Sequence, residues 1–309
     1  MQVYQGLEEF NKIENAVVTT GTFDGVHIGH QTILNRLIEI SQKINGENVL
    51  LTFYPHPRMV LQADTDLKLI NTIGEKTELL EQVGIDHLII QPFTKEFSRI
   101  TSLEFVRDIL VNQIGTTKLV IGYDHHFGRN REGSFEHLKE YGPLYGFEVE
   151  EIPAQDIDNT NISSTKIRKA ITDGHISTAN EYLGYQFSLK GKVVEGKKIG
   201  RELGYPTANI KIENQYKLIP ANGIYAIEVI WKGENYQGML NIGTRPTIEN
   251  SDGSLTIEAN IFNFNHTIYN DDLKINFVKR IRDEKKFNSR EELIAEIKKD
   301  KSKVEAIFR

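Results

Sequence analysis

The chain has 309 residues, enough for two domains, and its 39% hydrophobic and 26% charged residues are typical of a globular protein. It contains no cysteine, which excludes disulfides, thiolate nucleophiles and cysteine-ligated zinc sites. The net charge of −6, the lack of any apolar run near the roughly 20 residues of a membrane span, and an N-terminus unlike a secretory signal predict a cytoplasmic protein with no nucleic-acid or membrane partner.

The first half of the chain alternates short apolar runs with amphipathic stretches. Between the first two runs, Ile33, Leu37, Ile40 and Ile44 recur at helical spacing. This alternation predicts an α/β domain, a Rossmann-like parallel sheet with helices on both faces, whose ligands bind beyond the carboxyl ends of the strands. The predicted strands are residues 16–20, 49–53, 87–93, 118–122 and 147–152, and the predicted helices are 31–44, 76–83, 103–113 and 164–172.

From about residue 184, strand patterns separated by short turns replace this alternation. Many strands with almost no helix are typical of an antiparallel barrel or sandwich. One helix closes the chain, because Ser289 and Glu292 form a capping-box pattern ahead of an apolar stripe. We therefore predict two domains, residues 1–183 and residues 184–309.

The segment GTFDGVHIGH, residues 21–30, joins the first predicted strand to the first helix. Its glycines permit close approach of backbone to a ligand, and the helix N-terminus favours an anion. His27 and His30 are three residues apart, which places both on one face of a first helical turn. Two imidazoles beside such a turn suit stabilisation of charge on a reacting phosphate.

Two further segments have polar side chains at the same predicted edge. FYPHP, residues 53–57, holds His56 at a strand end, and SSTKIR, residues 163–168, brings hydroxyls and cations to a helix start. Alone, each motif is more often structural: a turn with solvated histidines, a stiff loop, a helix cap. Their convergence at one edge of a doubly wound sheet favours a phosphate site.

With GYDHHFGRNREG, residues 122–133, these motifs resemble the FMN adenylyltransferase half of prokaryotic bifunctional riboflavin kinase/FAD synthetases, within the HxGH nucleotidyltransferase superfamily. The resemblance spans about residues 15–183. It implies transfer of AMP from ATP to FMN, with release of pyrophosphate and assistance by Mg²⁺. The family commonly has an aromatic and then a basic residue after Asp124, where this chain has His125 and His126.

The resemblance implies roles for individual residues of the first half. His27 and His30 would be catalytic and contact the ATP phosphates, and His56 and Asp124 would contact the flavin, Asp124 beside the flavin phosphate and metal. The expected ATP and phosphate contacts are Gly21, Phe23, Asp24, Gly25, His27, His30, Ser164, Thr165 and Arg168.

The segment GRELGYPTANI, residues 200–210, leads from a glycine-bearing loop into a strand. Thr207 and Asn209 are two apart, so in a strand both side chains leave the same face and offer oxygen ligands suited to Mg²⁺. Backbone N–H groups near Gly200 and Gly204 can cradle phosphates. Glu258 lies on the polar face of an alternating strand, where a glutamate is usually solvated; the functional alternative is a base.

GYPTANI together with NIGTRPT, residues 241–247, resembles the riboflavin kinase domain, from about Tyr185 onward. The resemblance implies a six-stranded antiparallel barrel with a C-terminal helix, and transfer of the ATP γ-phosphate to the riboflavin 5′-hydroxyl. Thr207 and Asn209 then match the Mg²⁺ ligands, and Glu258 matches the general base. Thr207 is also one of the expected ATP contacts. Arg282 is a candidate for the flavin site.

The preferred interpretation is an enzyme that converts riboflavin to FMN and FMN to FAD. One alternative is a riboflavin kinase with weakened or lost adenylyltransferase activity, because of His125 and His126. A second is a non-enzymatic protein that senses flavin or nucleotide. A third is a transition-metal site at His27, His30, His56, His125 and His126. The sequence leaves the oligomeric state open.

Overall fold

The computed structural model describes residues 1–62, 65–123, 125–153, 162–196, 200, 203–244 and 255–309. The chain divides into two compact units, Met1–Ser164 and Thr165–Arg309. Each unit is described by itself. The domain boundary between residues 183 and 184 stays a prediction.

The first unit is built on six parallel strands in the spatial order β1-β4-β3-β2-β5-β6. All five residues of β2 are buried, as expected for a parallel strand covered on both faces. The strands are β1 (Gln2–Tyr4), β2 (Ala16–Thr20), β3 (Glu47–Tyr54), β4 (His87–Pro92), β5 (Thr116–Gly122) and β6 (Glu148–Ile152).

Helices cover both faces of this sheet, as the alternation predicts. On one face Val18 and its neighbours pack with Leu110, and on the other Val17 packs with Leu37 and Leu80. The helices are α1 (Ile28–Lys43), α2 (Pro57–Leu61), α3 (Ile73–Val83), α4 (Ser102–Glu104, continuing as a π-helix over Phe105–Ile114) and α5 (Phe135–Tyr145).

The strand order reverses at β2. The chain passes from β2 to β3 and β4 on one side, then crosses to β5 on the other side of β2. In doubly wound sheets such a reversal opens a crevice at the carboxyl ends of the two diverging strands. The loops after β2 and β5, residues 21–27 and 123–134, therefore flank the expected ligand crevice.

The second unit is a closed barrel of six antiparallel strands in the order β10-β11-β8-β7-β12-β9, which confirms the predicted barrel. Its interior is filled by Tyr225, Phe187 and Phe277, with the Tyr225 and Phe277 rings edge to face at 5.2 Å. The strands are β7 (Ser188–Val194), β8 (Ala208–Lys211), β9 (Gly223–Trp231), β10 (Glu234–Thr244), β11 (Leu255–Ile261) and β12 (Asp272–Arg282).

The helices of the described residues from Ser164 onward are α6 (Ser164–Thr172), α7 (Ile176–Leu183) and α8 (Arg290–Ile307). Asn180 of α7 donates from Nδ2 to the Phe277 carbonyl and accepts from the Phe187 amide, both at 2.8 Å. These bonds fasten α7 to the barrel. The C-terminal helix α8 buries Val304 in an apolar cluster that includes Ala226 and Met239. Within the described ranges, no helix has both the length and the apolar character of a membrane span.

Candidate active sites

The loop between β2 and α1 has an unusual backbone. Phe23 and Val26 have φ angles of 45° and 37°, and Gly25 between them has 93°. Such angles are uncommon for residues other than glycine and cost on the order of 1–3 kcal/mol each, so they persist only where surrounding contacts fix them. The loop is therefore a strained turn that neighbouring elements hold in place.

His27 at the end of this loop and His30 in the first turn of α1 stack on each other, in agreement with their spacing. Their ring centroids are 3.6 Å apart at an interplanar angle of 18°. His27 is the N-cap of α1, because its Nδ1 accepts a hydrogen bond of 3.3 Å from the His30 amide. An accepting Nδ1 means that neutral His27 carries its proton on Nε2, where it can donate to a ligand.

His30 is held as a neutral imidazole. Burial lowers its pKa well below the ordinary value, and the nearby His27 and Lys76 lower it further. Its ring packs against Phe23 at 4.9 Å, and its Nδ1 is buried without a hydrogen-bond partner among the described residues. A neutral imidazole at this position offers one donor and one acceptor to a ligand without carrying charge.

Asp24 shapes the loop from within. Its side chain is 2% exposed, and its Oδ1 accepts hydrogen bonds from the Ile70 amide at 3.1 Å and the Asn71 amide at 3.4 Å. Its carbonyl accepts from Ser164 Oγ at 2.9 Å. These contacts favour a role in holding the turn, and the predicted contact of Asp24 with ATP stays a prediction.

Sequence reasoning missed Lys76 on α3. Its side chain is only 6% exposed, and its Nζ donates to the Thr22 carbonyl at 2.8 Å and to Thr52 Oγ1 at 3.3 Å. Burial lowers its pKa to about 8, against the opposing influence of Asp24. One signal was available: Lys76 falls on the apolar stripe of α3, three residues after Ile73 and four before Leu80.

The loop after β5 contains the departure from the family pattern. Burial lowers the pKa of His125 to about 4, with further lowering by His126 and Arg131. The neutral His125 ring lies nearly parallel to the Phe127 ring, with the ring centroids 5.9 Å apart. A stacked imidazole therefore stands at the position where the family commonly has an aromatic residue. His126 is exposed, and Asp124 lies outside the described residues.

The remaining predicted residues of the first half occupy separate elements. His56 follows β3 and caps α2, where its Nδ1 accepts from the Arg58 amide at 3.1 Å. Ser164 begins α6, Thr165 follows it in the first turn, and Arg168 lies one turn further along that helix. Their contacts with flavin and triphosphate stay predictions.

In the second unit the strand register aligns three polar residues. Glu258 on β11 pairs with Asn209 on β8 and with Asn241 on β10. Ile257 and Ala259 are buried, so Glu258 points to the outer face of the barrel. Asn241 is the first residue of NIGTRPT, and its place between the apolar Leu240 and Ile242 indicates the same outer face.

Thr207 joins this row from the segment before β8, with its Oγ1 3.5 Å from Glu258 Oε2. Glycines allow the preceding loop to lie against these residues. A Cβ on Gly196 would collide with the Asn209 side chain, and a Cβ on Gly200 would collide with the Tyr205 carbonyl. Gly204 has a φ of 82°, in the region that favours glycine.

The oxygen atoms of this row fit Mg²⁺. The Thr207 hydroxyl and the Asn209 amide oxygen are hard ligands of the kind that this ion takes, usually with water and substrate phosphates. The described residues contain no group of three or more His, Cys, Asp or Glu that could hold a metal ion, at the histidines or elsewhere. The fit to Mg²⁺ therefore rests on Thr207 and Asn209.

A cavity of about 410 Å³ opens beside Asn209. Its walls include Lys211, the buried Lys217 and Thr256, and its volume lies in the range of small-molecule sites. It is a candidate for the nucleotide of the second unit.

Arg282 is engaged by the C-terminal helix. Its Nε and one terminal nitrogen lie 2.8 Å and 2.7 Å from Asp300 Oδ2, and Nε lies 3.6 Å from Glu296. Asp300 is 2% exposed. This geometry favours a role in fastening α8 to β12, and the flavin contact of Arg282 stays a prediction.

Two protein families match the chain side by side: the FAD synthetase family over residues 9–166 and the riboflavin kinase family over residues 183–308. A bifunctional riboflavin kinase/FMN adenylyltransferase of Buchnera aphidicola subsp. Schizaphis graminum is 36% identical over 311 residues, covering 100% of this chain and 99% of the relative. A protein of the same name from Listeria monocytogenes is 37% identical over 295 residues, covering 95% and 93%.

Among solved structures, one described as a macrolide-efflux protein from Streptococcus pneumoniae has a TM-score of 0.88 and 30% identity, covering 97% of each chain. That likeness supports the two-part fold, a parallel sheet with helices followed by a closed barrel with a C-terminal helix. The matches to both families and to full-length relatives agree over the whole chain. The chain therefore belongs to the family of bifunctional riboflavin kinase/FMN adenylyltransferases.

Proposed function

We propose that the chain phosphorylates riboflavin to FMN on its barrel and adenylylates FMN to FAD at its parallel sheet, with ATP as the donor in both reactions. Membership in the bifunctional family supports both activities. The observation that supports assigning the kinase reaction to the barrel is the cluster of Thr207, Asn209 and Glu258 on its outer face, because all three residues belong to the second unit.

On the barrel, Glu258 is the general base. Its carboxylate takes the proton of the riboflavin 5′-hydroxyl as that oxygen attacks the γ-phosphorus of ATP. The new oxygen–phosphorus bond forms while the bond to the β,γ-bridging oxygen breaks, and ADP leaves. Thr207 and Asn209 would hold Mg²⁺, which when bound supplies positive charge to the phosphates. Backbone N–H groups of the glycine-bearing segment bind the phosphates.

At the parallel sheet, a phosphate oxygen of FMN attacks the α-phosphorus of ATP, and pyrophosphate leaves. His27 donates from Nε2 and His30 donates as a neutral imidazole to the phosphate oxygens on which charge develops. Ser164 donates from Oγ to the Asp24 carbonyl and so holds the same turn. The strained turn after β2 fixes the two imidazoles before the substrate binds, which lowers the cost of orienting them.

The alternative of a kinase without adenylyltransferase activity rests on His125 and His126. The low pKa of His125 and its parallel packing on Phe127 argue for a neutral aromatic substitute there. We therefore expect the adenylyltransferase to be active.

A time course tests the proposal. Purified protein with riboflavin, ATP and Mg²⁺ should form FMN first and then FAD, separated by chromatography and detected by fluorescence. Accumulation of FMN without any FAD would overturn the bifunctional assignment. Metal content measured on the same sample tests the third alternative, because one tightly bound zinc per chain would contradict the phosphate site.

A pair of variants tests the separation of the sites. Asn209→Ala should abolish FMN formation and leave the conversion of supplied FMN to FAD intact, and His30→Ala should do the reverse. Loss of both activities in either well-folded variant would contradict separate sites. A cytoplasmic location and the lack of nucleic-acid and membrane partners stay predictions from composition.

A further inference from the structure

Lys76 is a buried cation that no motif of the sequence contains. Lysine is almost never fully buried unless it is paired, and the Lys76 side chain is only 6% exposed, with the buried Asp24 carboxylate as the opposite charge that acts on it. Its two hydrogen bonds go to neutral oxygens, the Thr22 carbonyl and Thr52 Oγ1. Burying an ammonium group costs free energy of desolvation, which an apolar side chain of the same length would avoid. Fold stability alone therefore does not explain a lysine at this position.

The two bonds of Lys76 tie the strained turn to the sheet. Thr22 lies in the turn after β2, and Thr52 lies on the neighbouring strand β3. Thr52 Oγ1 also donates to the Thr22 carbonyl, at 3.3 Å. The carbonyl oxygen of Thr22 therefore accepts from two side chains on two other elements, and Lys76 is the charged one.

The chain just before Lys76 holds the same turn at a second point. The amides of Ile70 and Asn71 donate to the Asp24 carboxylate. Residues 70–76 therefore form hydrogen bonds to the turn on both sides of Phe23, whose φ is 45°. Three residues beyond Asp24 the chain reaches His27, so the path of the turn sets the position of both imidazoles.

We propose that Lys76 is a positioning residue for adenylyl transfer, which fixes the turn that leads to His27 and to His30 in the first turn of α1 by holding the Thr22 carbonyl against Thr52. The inference rests on the proposed adenylyltransferase activity of this unit and names a residue that the activity needs. Lys76 acts through the turn, and the bonds to ATP are made by other groups.

The charge state of Lys76 gives the proposal a pH signature. Its pKa is lowered to about 8 by burial, and among the described residues the charged or titratable groups that face it are Asp24 from the turn and His30 from α1. Below about pH 8 the ammonium donates strongly to the Thr22 carbonyl. Above that pH the neutral amine is a weaker donor, so adenylyl transfer should decline on the alkaline side.

The sign of the stability effect is opposite to that of activity. Because the pKa in the folded state is below the ordinary value, burial of the charged form opposes folding at neutral pH and is relieved as pH rises through about 8. Replacing Lys76 with methionine should therefore leave the melting temperature at pH 7 unchanged or raise it. A residue with a merely structural role would lower it.

The experiment compares Lys76→Met, Lys76→Arg and the control Lys43→Met in the full chain. Lys43 lies on α1 with its side chain 63% exposed. We expect Lys76→Met to lower kcat for FAD formation from supplied FMN by about 10- to 100-fold, with KM changed by less than about threefold. Lys43→Met should match the wild type, and FMN formation should be equal in all chains.

The pH profile completes the test. The wild type should lose FAD formation above about pH 8, Lys76→Met should lack that decline, and Lys76→Arg should keep part of the activity with no decline up to about pH 10. Wild-type kinetics in Lys76→Met, or a fall accompanied by a lower melting temperature, would overturn the positioning role. A wild type that forms no FAD would instead overturn the proposed function itself.

Discussion

The two units build their sites in different ways. In the first, His27 ends the turn after a strand and His30 lies in the first turn of the helix that follows, and the contacts of Asp24 and Lys76 with other elements hold the turn. In the second, Asn209 and Glu258 lie on paired strands, so the register alone sets them side by side. The side chains of a loop site are held in position by contacts from residues outside the motif. The side chains of a strand site are held in position by the pairing of the strands that carry them. Substitutions should reveal this difference.

The largest effect is expected on the barrel from Glu258→Gln, which keeps the shape of the side chain and removes the base. We expect kcat for FMN formation to fall by about 10²- to 10⁴-fold, with KM for riboflavin nearly constant, because a base acts in the transition state. Steady-state kinetics with riboflavin measure it. FAD formation from supplied FMN should be unchanged.

The matched control for this change is Glu234→Gln, since Glu234 is an exposed glutamate at the far end of β10. It should leave both reactions at the wild-type rate. An unchanged turnover number in Glu258→Gln would remove Glu258 from the role of base, and the row on the barrel would then serve binding alone.

In the loop site, His30→Ala should lower FAD formation by about 10²- to 10³-fold, because it removes one donor to the developing charge. His30→Gln, which keeps a donor, should retain more activity than the alanine variant. The assay is FAD formation from supplied FMN, with FMN formation from riboflavin as the internal control. Equal activities in the two variants would contradict a role in donation.

The Arg282–Asp300 contact separates anchoring from flavin binding. Asp300→Asn weakens a buried partner of Arg282 and should destabilise the second unit by up to about 3 kcal/mol, since breaking a buried ion pair leaves a charge uncompensated. Denaturant unfolding measures it. The control is Asp173→Asn, whose ion pair with Lys169 is exposed, so the free energy of unfolding should stay nearly unchanged. A raised KM for riboflavin at unchanged stability would instead assign Arg282 to the flavin.

Patterns in the sequence were enough to predict the parallel sheet with helices on both faces, the antiparallel barrel and the C-terminal helix. Hydrophobic periodicity is a local property, and each of these elements buries a face that the period reveals. For the sites, the motifs together with the family resemblance that they carry singled out His27, His30, Thr207, Asn209 and Glu258 as candidates.

The contacts that support the sites were beyond such patterns. The Asp24 carboxylate turns toward amides 46 and 47 residues away, and Asn180 binds the Phe277 carbonyl 97 residues away. Pairings over such distances depend on the assembled fold, and polar residues that serve them look like solvated ones in the sequence. The placement of Asn209 and Glu258 on one face of the barrel was easier to predict, because the period of two residues along a strand fixes which face each side chain occupies.

The smallest expected effects come from two matched helix caps. Thr72 Oγ1 accepts from the Glu75 amide at 3.2 Å at the start of α3, and Ser289 Oγ accepts from the Glu292 amide at 3.1 Å at the start of α8. Replacing either residue with alanine should cost about 1 kcal/mol, measured by denaturant unfolding.

Their effects on activity should differ, and this sharpens the contrast between loop and strand sites. Thr72→Ala loosens the turn of α3 that contains Lys76, so FAD formation should fall several-fold while FMN formation stays constant. Ser289→Ala weakens only the first turn of α8, and because register fixes Glu258 and Asn209, both reactions should keep their wild-type turnover numbers. Equal losses of FAD formation in the two variants would mean that overall stability alone governs the rate of FAD formation. The first turn of α3 would then play no part in positioning His27 and His30.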